Sequence, residues 1–328
     1  MQDCKVWILA EQHQGKVQRI SFELLTRGLD LAKKINSGLG AIIFVDKIEP
    51  EGLQELTDRG ADSVLVYTAP ELSHFLIEPY ANCLLQAIRQ YEPAIILAGA
   101  TSTGRTLMPY VAIRANAGLT ADCTSLDIES GTGLLLQTRP AIGGNIMATI
   151  KTPHHRPQMA TVRPRSTPPA PRQPGRKGQI LTQQALKENL ASRITLEKLI
   201  PNPEKNKISD ADTVVVIGRG IKRAENIPMI QELADLLGAA LGATRDVVDR
   251  GWLSYPHQVG LSGQTISPKL YLGIGVSGSI QHLAGMQTSE KIVAINNNPD
   301  AQIFKVADVG IVGDLFQVVP ELIKGLKK

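Results

Sequence analysis

Aromatic residues, cysteines and long apolar runs are scarce in this chain of 328 residues. Phe, Trp and Tyr together make up 4% of the sequence, which argues against an aromatic platform for stacking nucleic-acid bases. Cys4, Cys83 and Cys123 lie far apart and are odd in number, so we expect neither a disulfide framework nor a zinc site. No apolar run reaches the ~18 residues that span a bilayer. The start reads as a strand rather than a secretory signal, so we expect a cytoplasmic protein with no membrane span.

The chain also has little net charge. The 35 Lys and Arg residues against 31 Asp and Glu leave a net charge of +4, which requires no polyanionic partner, and we expect no nucleic acid. The exception is the Pro- and Arg-rich segment 163–178, whose prolines exclude a helix or a central strand. Two interpretations stay open for it: a docking surface for an acidic partner, or a solvated polyproline-like excursion.

Catalytic motifs are missing as well. The sequence has no P-loop, no H-E-x-x-H, no G-x-S-x-G and no cysteine pair for an iron–sulfur cluster, so it indicates no metal site and no catalytic residues.

The length predicts two domains. In the first, short β-branched runs alternate with amphipathic helical segments, which is typical of a parallel sheet covered on both faces. The predicted strands there are Val6–Ala10, Ala41–Val45, Ser63–Tyr67 and Ala94–Ala98. Hairpin-like runs follow from Ser125 through Gly143-Gly144 to Gln158–Val162.

A polar, Pro-containing stretch at 200–207 marks the predicted domain boundary, and we expect the second domain to pivot there. The alternation of strands and helices then resumes. Its predicted strands are Thr213–Ile217, Ala239–Ala243, Leu270–Ile274, Ile292–Asn296 and Val309–Val312. We therefore predict an α/β fold of two domains, each a mostly parallel sheet flanked by helices. Residues 1–206 form a Rossmann-like domain with a β-hairpin extension, and residues 207–328 form a second parallel-sheet domain.

Two glycine motifs stand at strand ends of the second domain. Gly218-Arg219-Gly220 lacks the third glycine of a dinucleotide fingerprint, because Arg223 stands in its place. Gly273-Ile-Gly275-Val-Ser-Gly278 matches G-x-G-x-x-G, and Asn296 lies about 20 residues further on, the usual distance of a ribose ligand. Such glycines let the backbone approach a pyrophosphate. They serve a tight strand–helix turn equally well, and the sequence leaves both interpretations open.

Other polar residues follow strands in the same domain. They include Thr244-Arg245, Asp314 and the Gly-rich loop Tyr255–Gln264, with His282 on the helix after the glycine motif. Because the carboxyl ends of parallel strands meet at one edge, we expect them to converge on a ligand, and their chemistry suits an anionic, electron-accepting ring. In the first domain, Thr101–Arg105 fits a helix cap better than a phosphate cradle.

Over essentially its whole length the chain resembles the alpha subunit of electron-transfer flavoproteins. The resemblance rests on Gly242-Ala-Thr-Arg245, Gln258-Val-Gly260, Ser277-Gly-Ser-Ile-Gln-His-Leu-Ala-Gly285, Ile292–Asn296 and Phe304–Asp314. It implies an electron carrier subunit rather than an enzyme, with FAD in the C-terminal domain. The N-terminal domain would pack against a beta subunit in a heterodimer.

The resemblance also implies which residues bind the cofactor. Arg245, Ser262 and His282 would surround the isoalloxazine ring, and Gln258 and Gln281 would line its pocket. The ribityl and pyrophosphate portion would be held by Arg219, Thr244, Ser277 and Gly278, and the adenosine end by Asn296 and Asp314. Further contacts would come from Val259, Gly260, Gly263, Gly275, Ser279 and Leu315.

One departure concerns Leu261-Ser262, where many members of this family have Gln-Thr. Serine keeps the hydroxyl but loses the methyl that restricts its rotamer, so the reduction potential is open. This pair and the run Gln137–Ile150 resemble the electron-bifurcating branch of anaerobes. In that branch NADH is oxidised at a second FAD, held mainly by the beta subunit, and this subunit's FAD passes one electron to an acyl-CoA dehydrogenase. NADH and ferredoxin would then be partners through the beta subunit.

Two other classes of protein stay open from the residues alone. A free-standing nucleotide-dependent dehydrogenase would need an acid or base over its substrate, and only His257 is a candidate. A nucleotide-binding regulatory protein is favoured by the parallel sheet of the first domain and by nothing else.

Overall fold

A computed structural model describes residues 1, 3–141, 146–199 and 208–327. The chain divides into two compact units, Met1–Leu199 and Ile200–Lys328. Each is built on a parallel sheet with helices, which confirms the predicted α/β fold. The predicted boundary and pivot at 200–207, and the Gly143-Gly144 run, lie outside the described residues.

The N-terminal unit is a seven-stranded parallel sheet with an antiparallel extension. Its strands are β1 (Cys4–Leu9), β2 (Gln12–His13), β3 (Lys16–Val17), β4 (Gly38–Val45), β5 (Ser63–Thr68), β6 (Ile95–Gly99), β7 (Gly118–Cys123), β8 (Ser125–Ile128), β9 (Leu135–Pro140), β10 (Met147–Ile150), β11 (Gln158–Val162) and β12 (Gln179–Gln184). Its helices are α1 (Arg19–Lys34), α2 (Pro50–Asp58), α3 (Ile77–Tyr91) and α4 (Ser102–Ala115). The main sheet has the order β12-β5-β4-β1-β6-β11-β7. Its central strands are apolar on both faces because both faces carry packed helices and loops.

Two strands of this sheet depart from the predicted pattern. Gln158–Val162 was expected among the hairpin-like runs, but it pairs in parallel with β6 on one side and β7 on the other. Gln179–Gln184 was not predicted as a strand, yet it pairs in parallel with β5 at the sheet edge. The hairpin extension itself is present, because β8, β9 and β10 form a three-stranded antiparallel sheet.

The Pro- and Arg-rich segment 163–178 crosses its own unit as a strap. Arg163 pairs with Asp122 at 2.5 Å, Arg172 with Asp58 at 3.0 Å and Arg176 with Asp62 at 2.5 Å. Backbone hydrogen bonds from Ala170 to Phe22 and from Gln173 to Asp58 anchor it between these ion pairs. Much of its positive charge is therefore neutralised within the unit rather than presented to solvent.

The C-terminal unit is a five-stranded sheet in which every neighbouring pair is parallel. Its strands are β13 (Thr213–Ile217), β14 (Ala240–Ala243), β15 (Leu270–Ile274), β16 (Lys291–Asn296) and β17 (Val309–Val312), and its helices are α5 (Ile227–Leu236), α6 (Arg245–Asp249), α7 (Ile280–Leu283) and α8 (Leu315–Leu326). The strand order is β14-β13-β15-β16-β17. The chain therefore builds outward from β13 in both directions, and β13 and β15 flank a topological switch point. Ligands of open parallel sheets bind at the carboxyl edge beside such a point.

Candidate functional site

The loops after β13 and β15 touch at this switch point. The Gly220 N–H donates to the Gly275 carbonyl at 3.1 Å. A Cβ added to Gly218 would lie 2.2 Å from the same carbonyl oxygen, and Gly275 has φ = +64°. Close backbone approach and left-handed conformation thus account for these glycines by themselves, so the tight-turn interpretation holds here. Contact between Gly275 and a cofactor stays a prediction.

The four residues after Gly275 present an unusual run of backbone donors. Among the described residues, the N–H groups of Val276, Ser277, Gly278 and Ser279 have no hydrogen-bond acceptor. Gly278 has φ = +81°, and the side chains of Ser277 and Ser279 are exposed. Successive unpaired N–H groups beside left-handed glycines form the concavities in which proteins bind phosphate groups. The donor set therefore fits a pyrophosphate.

Two guanidinium groups stand at the ends of neighbouring strands. Arg219 follows β13 and Arg245 follows β14, and their side chains are 72% and 71% exposed. Arg219 pairs with Asp246 at 3.3 Å, and Arg245 pairs with Asp249 at 3.2 Å. Exposed ion pairs of this kind are worth only about 0–1 kcal/mol. Both cations can therefore exchange a carboxylate for a ligand anion at little cost.

The loop 258–264 carries a serine hydroxyl in a fixed position. The buried Gln258 side chain donates from Nε2 to the Ser262 Oγ at 3.0 Å, and the Tyr255 hydroxyl donates to the Ser262 carbonyl at 2.8 Å. The Val259 N–H donates to the Ala243 carbonyl at 2.9 Å, which ties the loop to β14. Gln258 thereby restrains the serine hydroxyl that lacks the threonine methyl, and leaves its proton free to donate outward.

His282, in contrast, points into the protein. Its ring is 4% exposed, with Nδ1 3.0 Å from the Val259 carbonyl oxygen and Nε2 2.8 Å from the Tyr271 hydroxyl. Burial lowers the pKa of His282 to about 4, with the Val259 hydrogen bond opposing the shift. Both ring nitrogens are therefore satisfied inside the unit, and a donation from His282 to a flavin would require one of these bonds to break.

The remaining predicted residues occupy the same edge in different ways. Asn296 donates from Nδ2 to the Val276 carbonyl at 2.8 Å, and Asp314 caps α8 by accepting from the Phe316 N–H at 3.0 Å. Thr244 is the N-cap of α6, and Gln281 is exposed on α7. Gly260 and Leu315 are buried and Gly263 is half-buried, and Leu315 packs in the core. Their roles in cofactor binding stay predictions.

Sequence reasoning missed three residues that shape this edge. Tyr271 lies inside the predicted strand Leu270–Ile274 and was assigned no role of its own, although its hydroxyl contacts His282. Asp246 and Asp249 set the resting positions of the two arginines. The spacing i, i+4 between Arg245 and Asp249 on a short helix is the one signal that could have found such a pair.

The described residues contain neither a cluster of metal-ligating side chains nor a helix that could span a membrane. Across 1, 3–141, 146–199 and 208–327, no group of His, Cys, Asp or Glu is placed to hold a metal ion. No helix in the same ranges is both long and apolar enough to traverse a bilayer. In the N-terminal unit, Thr101 accepts from the Gly104 N–H at 3.1 Å, so the structure shows the helix cap that the sequence favoured.

The fold defines a two-domain α/β protein, and the donors at its parallel-sheet switch point fit a dinucleotide-type cofactor. Family models agree: residues 6–187 match the electron transfer flavoprotein domain, and residues 207–287 match the electron transfer flavoprotein FAD-binding domain. The chain therefore belongs to the electron transfer flavoprotein alpha subunit family, and its cofactor is FAD. This finding confirms the resemblance seen in the sequence.

Curated relatives extend over nearly the whole chain. The electron transfer flavoprotein subunit alpha of Thermoanaerobacterium thermosaccharolyticum is 48% identical, covering 100% of this chain and 99% of the relative. The lactate dehydrogenase (NAD(+),ferredoxin) subunit LctC of Acetobacterium woodii is 42% identical over 97% of this chain and 76% of its own length. The acryloyl-CoA reductase electron transfer subunit beta of Anaerotignum propionicum is 39% identical over 98% and 95%. Two of these three similar proteins are named for electron transfer, and the third is named as a subunit of a dehydrogenase of NAD(+) and ferredoxin.

Proposed function

We propose that this chain binds FAD at the carboxyl edge of its C-terminal sheet and relays single electrons. The donor would be the cofactor site of a beta subunit, and the acceptor an acyl-CoA dehydrogenase-type flavoenzyme. The observation that carries the proposal is the run of unpaired backbone N–H groups at Val276–Ser279, within the segment that matches the FAD-binding domain. The pairing with a beta subunit is supported by the name of two similar relatives, electron transfer flavoprotein subunit alpha.

The pyrophosphate of FAD would lie against the N–H groups of Val276–Ser279. Arg219 follows the neighbouring strand β13 and would add a mobile positive charge. The hydroxyls of Ser277 and Ser279 are exposed beside those amides and would add neutral donors. The same edge ends at Asn296 and Asp314 on β16 and after β17, where the adenosine end would bind. A chain of donors along one sheet edge matches an extended dinucleotide.

When bound, FAD supplies the isoalloxazine ring that takes up and gives up electrons. Arg245 would place its guanidinium where negative charge develops on that ring, and would stabilise it electrostatically. Ser262 would direct its hydroxyl at a ring nitrogen, with Gln258 holding the Oγ in place. None of these groups has to gain or lose a proton for the transfer, which suits a carrier.

The alternative of a free-standing dehydrogenase has little support. Its one candidate base, His257, is half-buried, and its Nδ1 lies 2.7 Å from the Leu241 carbonyl oxygen. That contact gives the ring a structural role between β14 and the following loop.

A finer proposal is that the heterodimer bifurcates electrons from NADH. It is supported by the names of two relatives, one an NAD- and ferredoxin-linked lactate dehydrogenase subunit and the other an electron transfer subunit of acryloyl-CoA reductase. The pair Leu261-Ser262 in the loop 258–264 adds to this support, because it resembles the pair found in the bifurcating branch. NADH and ferredoxin would act through the beta subunit, while the FAD of this chain would serve the acyl-CoA enzyme.

The first experiment measures the flavin content of the chain co-expressed with its beta subunit. We expect a yellow heterodimer that releases FAD on denaturation, because the amide run and both arginines provide a complete anion site. A matched sample in which Ser277→Asp adds a negative charge at an exposed position of that run should contain much less FAD. A colourless wild-type heterodimer would rule the proposal out and favour a regulatory protein.

The second experiment adds NADH to the FAD-loaded heterodimer without oxygen, with and without ferredoxin and an enoyl-CoA with its dehydrogenase. Bifurcation predicts flavin bleaching by NADH and ferredoxin reduction only when the enoyl-CoA system is present. If NADH reduces no flavin, the bifurcation proposal is wrong, while the simpler carrier role is unaffected.

A further inference from the structure

A series of buried hydrogen bonds links the core of the C-terminal sheet to the loop 258–264, which carries Ser262. Tyr271 on β15 is fully buried, and its hydroxyl lies 2.8 Å from His282 Nε2. The other ring nitrogen, Nδ1, lies 3.0 Å from the Val259 carbonyl oxygen in the loop. Three elements, β15, α7 and the loop 258–264, are therefore joined through one imidazole.

The chemistry of these contacts fixes the direction of each hydrogen bond. A carbonyl oxygen can only accept, so His282 Nδ1 carries a proton. Burial keeps the ring neutral, since it lowers the pKa of His282 to about 4, and a neutral imidazole has one N–H only. Nε2 must then accept, and the Tyr271 hydroxyl must donate. Tyr271 thus selects the tautomer that holds the Val259 carbonyl.

The loop rests on α7 at the point that this imidazole holds. The Leu261 N–H donates to the Gln281 carbonyl at 2.7 Å. A Cβ added to Gly285 would lie 2.5 Å from the Gly260 backbone, so the two segments are in close contact. Gln258 and Ser262 lie within two residues of Gly260, on either side of it. Any loosening at Val259 is therefore transmitted to the hydroxyl proposed to face the flavin.

We propose that Tyr271 is a positioning residue for the FAD site, acting through His282 and the Val259 carbonyl to hold the loop that carries Gln258 and Ser262. The inference rests on the proposed function, since it assigns Tyr271 an effect on the same cofactor. It also assigns His282 a different task from direct donation to the flavin: its ring is the link between the sheet and the loop.

The test uses the full heterodimer and the substitution Tyr271→Phe, which removes one oxygen and keeps the ring. The matched control is Tyr67→Phe, a fully buried tyrosine of the N-terminal unit whose hydroxyl has no partner among the described residues. Hydrogen exchange followed by mass spectrometry reports on the loop whether or not FAD is bound. We expect amides of residues 259–264 to exchange about two- to tenfold faster in Tyr271→Phe, the change that losing one ordinary hydrogen bond corresponds to.

Exchange in β13 and α8 should stay as in the wild type, because the effect is local. Uniformly faster exchange over the whole C-terminal unit would mean that Tyr271 only stabilises the fold, and would overturn the inference. Unchanged exchange in the loop would overturn it as well.

The second readout is the reduction potential of the bound FAD as a function of pH. Among the described residues, the hydrogen-bonding partners of the ring are the Tyr271 hydroxyl on β15, which is titratable, and the Val259 carbonyl in the loop. Without the Tyr271 hydroxyl, Nε2 becomes easier to protonate. Since a cation near the flavin favours electron uptake, the potential of Tyr271→Phe should rise relative to wild type as the pH falls from about 8 to about 5.

The two readouts separate the inference from the function on which it rests. Faster loop exchange with a potential equal to wild type at every pH would overturn the role of Tyr271 at the flavin. If Arg245→Ala also left the potential unchanged, the proposed site itself would be wrong. If Arg245→Ala shifted it, only the Tyr271 inference would fail.

Discussion

The side chains at the candidate site differ in how easily each can exchange its partner for a ligand. Arg219 and Arg245 are exposed and held by single surface carboxylates. His282 is buried and holds two hydrogen bonds that a ligand would have to displace. A displaced buried bond leaves an unsatisfied group that costs about 1–3 kcal/mol. We therefore expect the arginines to respond directly to FAD, and His282 to support the site from within the unit.

Arg245→Ala should lower the reduction potential of the bound FAD. Removing a guanidinium near the ring removes a charge that stabilises the reduced, more negative flavin. A loss of ~1–2 kcal/mol corresponds to ~50–90 mV in a one-electron couple. Spectroelectrochemical titration of the heterodimer measures this shift.

Arg250→Ala is the control for that substitution. Arg250 ends the same short helix and pairs with Asp246 at 3.2 Å, but it is not among the predicted cofactor ligands. Its loss should leave the potential within a few tens of millivolts of wild type. Equal effects of the two substitutions would remove Arg245 from the ring.

How far the site could be predicted depends on the type of residue. Exposed polar groups after strands, such as Arg245 and Asn296, could be placed at one edge because the carboxyl ends of parallel strands converge. Tyr271 could not be placed at the site, because a tyrosine between Leu270 and Leu272 in a strand has the sequence pattern of an ordinary core residue. The direction of its hydroxyl is set by His282, which lies eleven positions further along the chain and on another element.

The local pattern of apolar and polar residues predicted where strands lie along the chain, because strand position is determined locally. β13, β16 and β17 are β-branched-rich runs, β15 is an apolar run with Leu, Tyr and Ile, and the positions of all four agree with the prediction. The partner of a strand is not determined locally, and so Gln158–Val162 was wrongly grouped with hairpins although it lies between β6 and β7 of the parallel sheet. β12 was missed because it is an edge strand whose burial alternates and whose residues are mostly polar.

The carboxyl group of Glu11, at the junction of β1 and α4, makes the stability of the N-terminal unit depend on pH. Thr101 caps α4 and donates to Glu11 Oε1 at 2.6 Å. Burial raises the pKa of Glu11 to about 7, with the Thr101 bond opposing the shift. The pKa of Glu11 is higher in the folded than in the unfolded chain, so the folded chain favours the neutral carboxyl group. The stability that the neutral group contributes is fully present below about pH 4.3 and is lost as the pH rises through 7.

Glu11→Gln should therefore stabilise the N-terminal unit at about pH 8, by up to about 3 kcal/mol, and have little effect at about pH 4. The amide oxygen can still accept from Thr101 and carries no charge to desolvate. Urea unfolding in a Trp252→Phe background, where Trp7 is the remaining tryptophan, follows this unit. Glu71→Gln, at an exposed position, should show no such pH dependence. A Glu11→Gln difference that is constant with pH would contradict the account.

For the chain as a whole, the two units match different domains of the family. The N-terminal unit matches the general electron transfer flavoprotein domain, and its basic strap is used internally by Asp58, Asp62 and Asp122. Residues 207–287 of the C-terminal unit match the FAD-binding domain, and every predicted cofactor ligand belongs to this unit. We therefore propose that the N-terminal unit is the scaffold for the partner subunit and the C-terminal unit carries the cofactor that relays electrons.

The scarcity of aromatic residues takes on a specific meaning in this setting. At the candidate edge the groups described above are mainly backbone amides, hydroxyls and two guanidinium groups. Two aromatic hydroxyls accompany them, that of Tyr255 on the Ser262 carbonyl and that of Tyr271 on His282. Such an edge would position a cofactor mainly by hydrogen bonds and charge. Composition could suggest this only as an exclusion, because it does not show where the donors lie.

The most direct test of the central claim is a potentiometric titration of the FAD-loaded heterodimer, followed by its visible spectrum. A relay of single electrons predicts that at least one flavin is reduced in two separate one-electron steps, with the first step shifted to lower potential by Arg245→Ala. Reduction of all bound flavin in a single two-electron step, in wild type and variant alike, would contradict the claim.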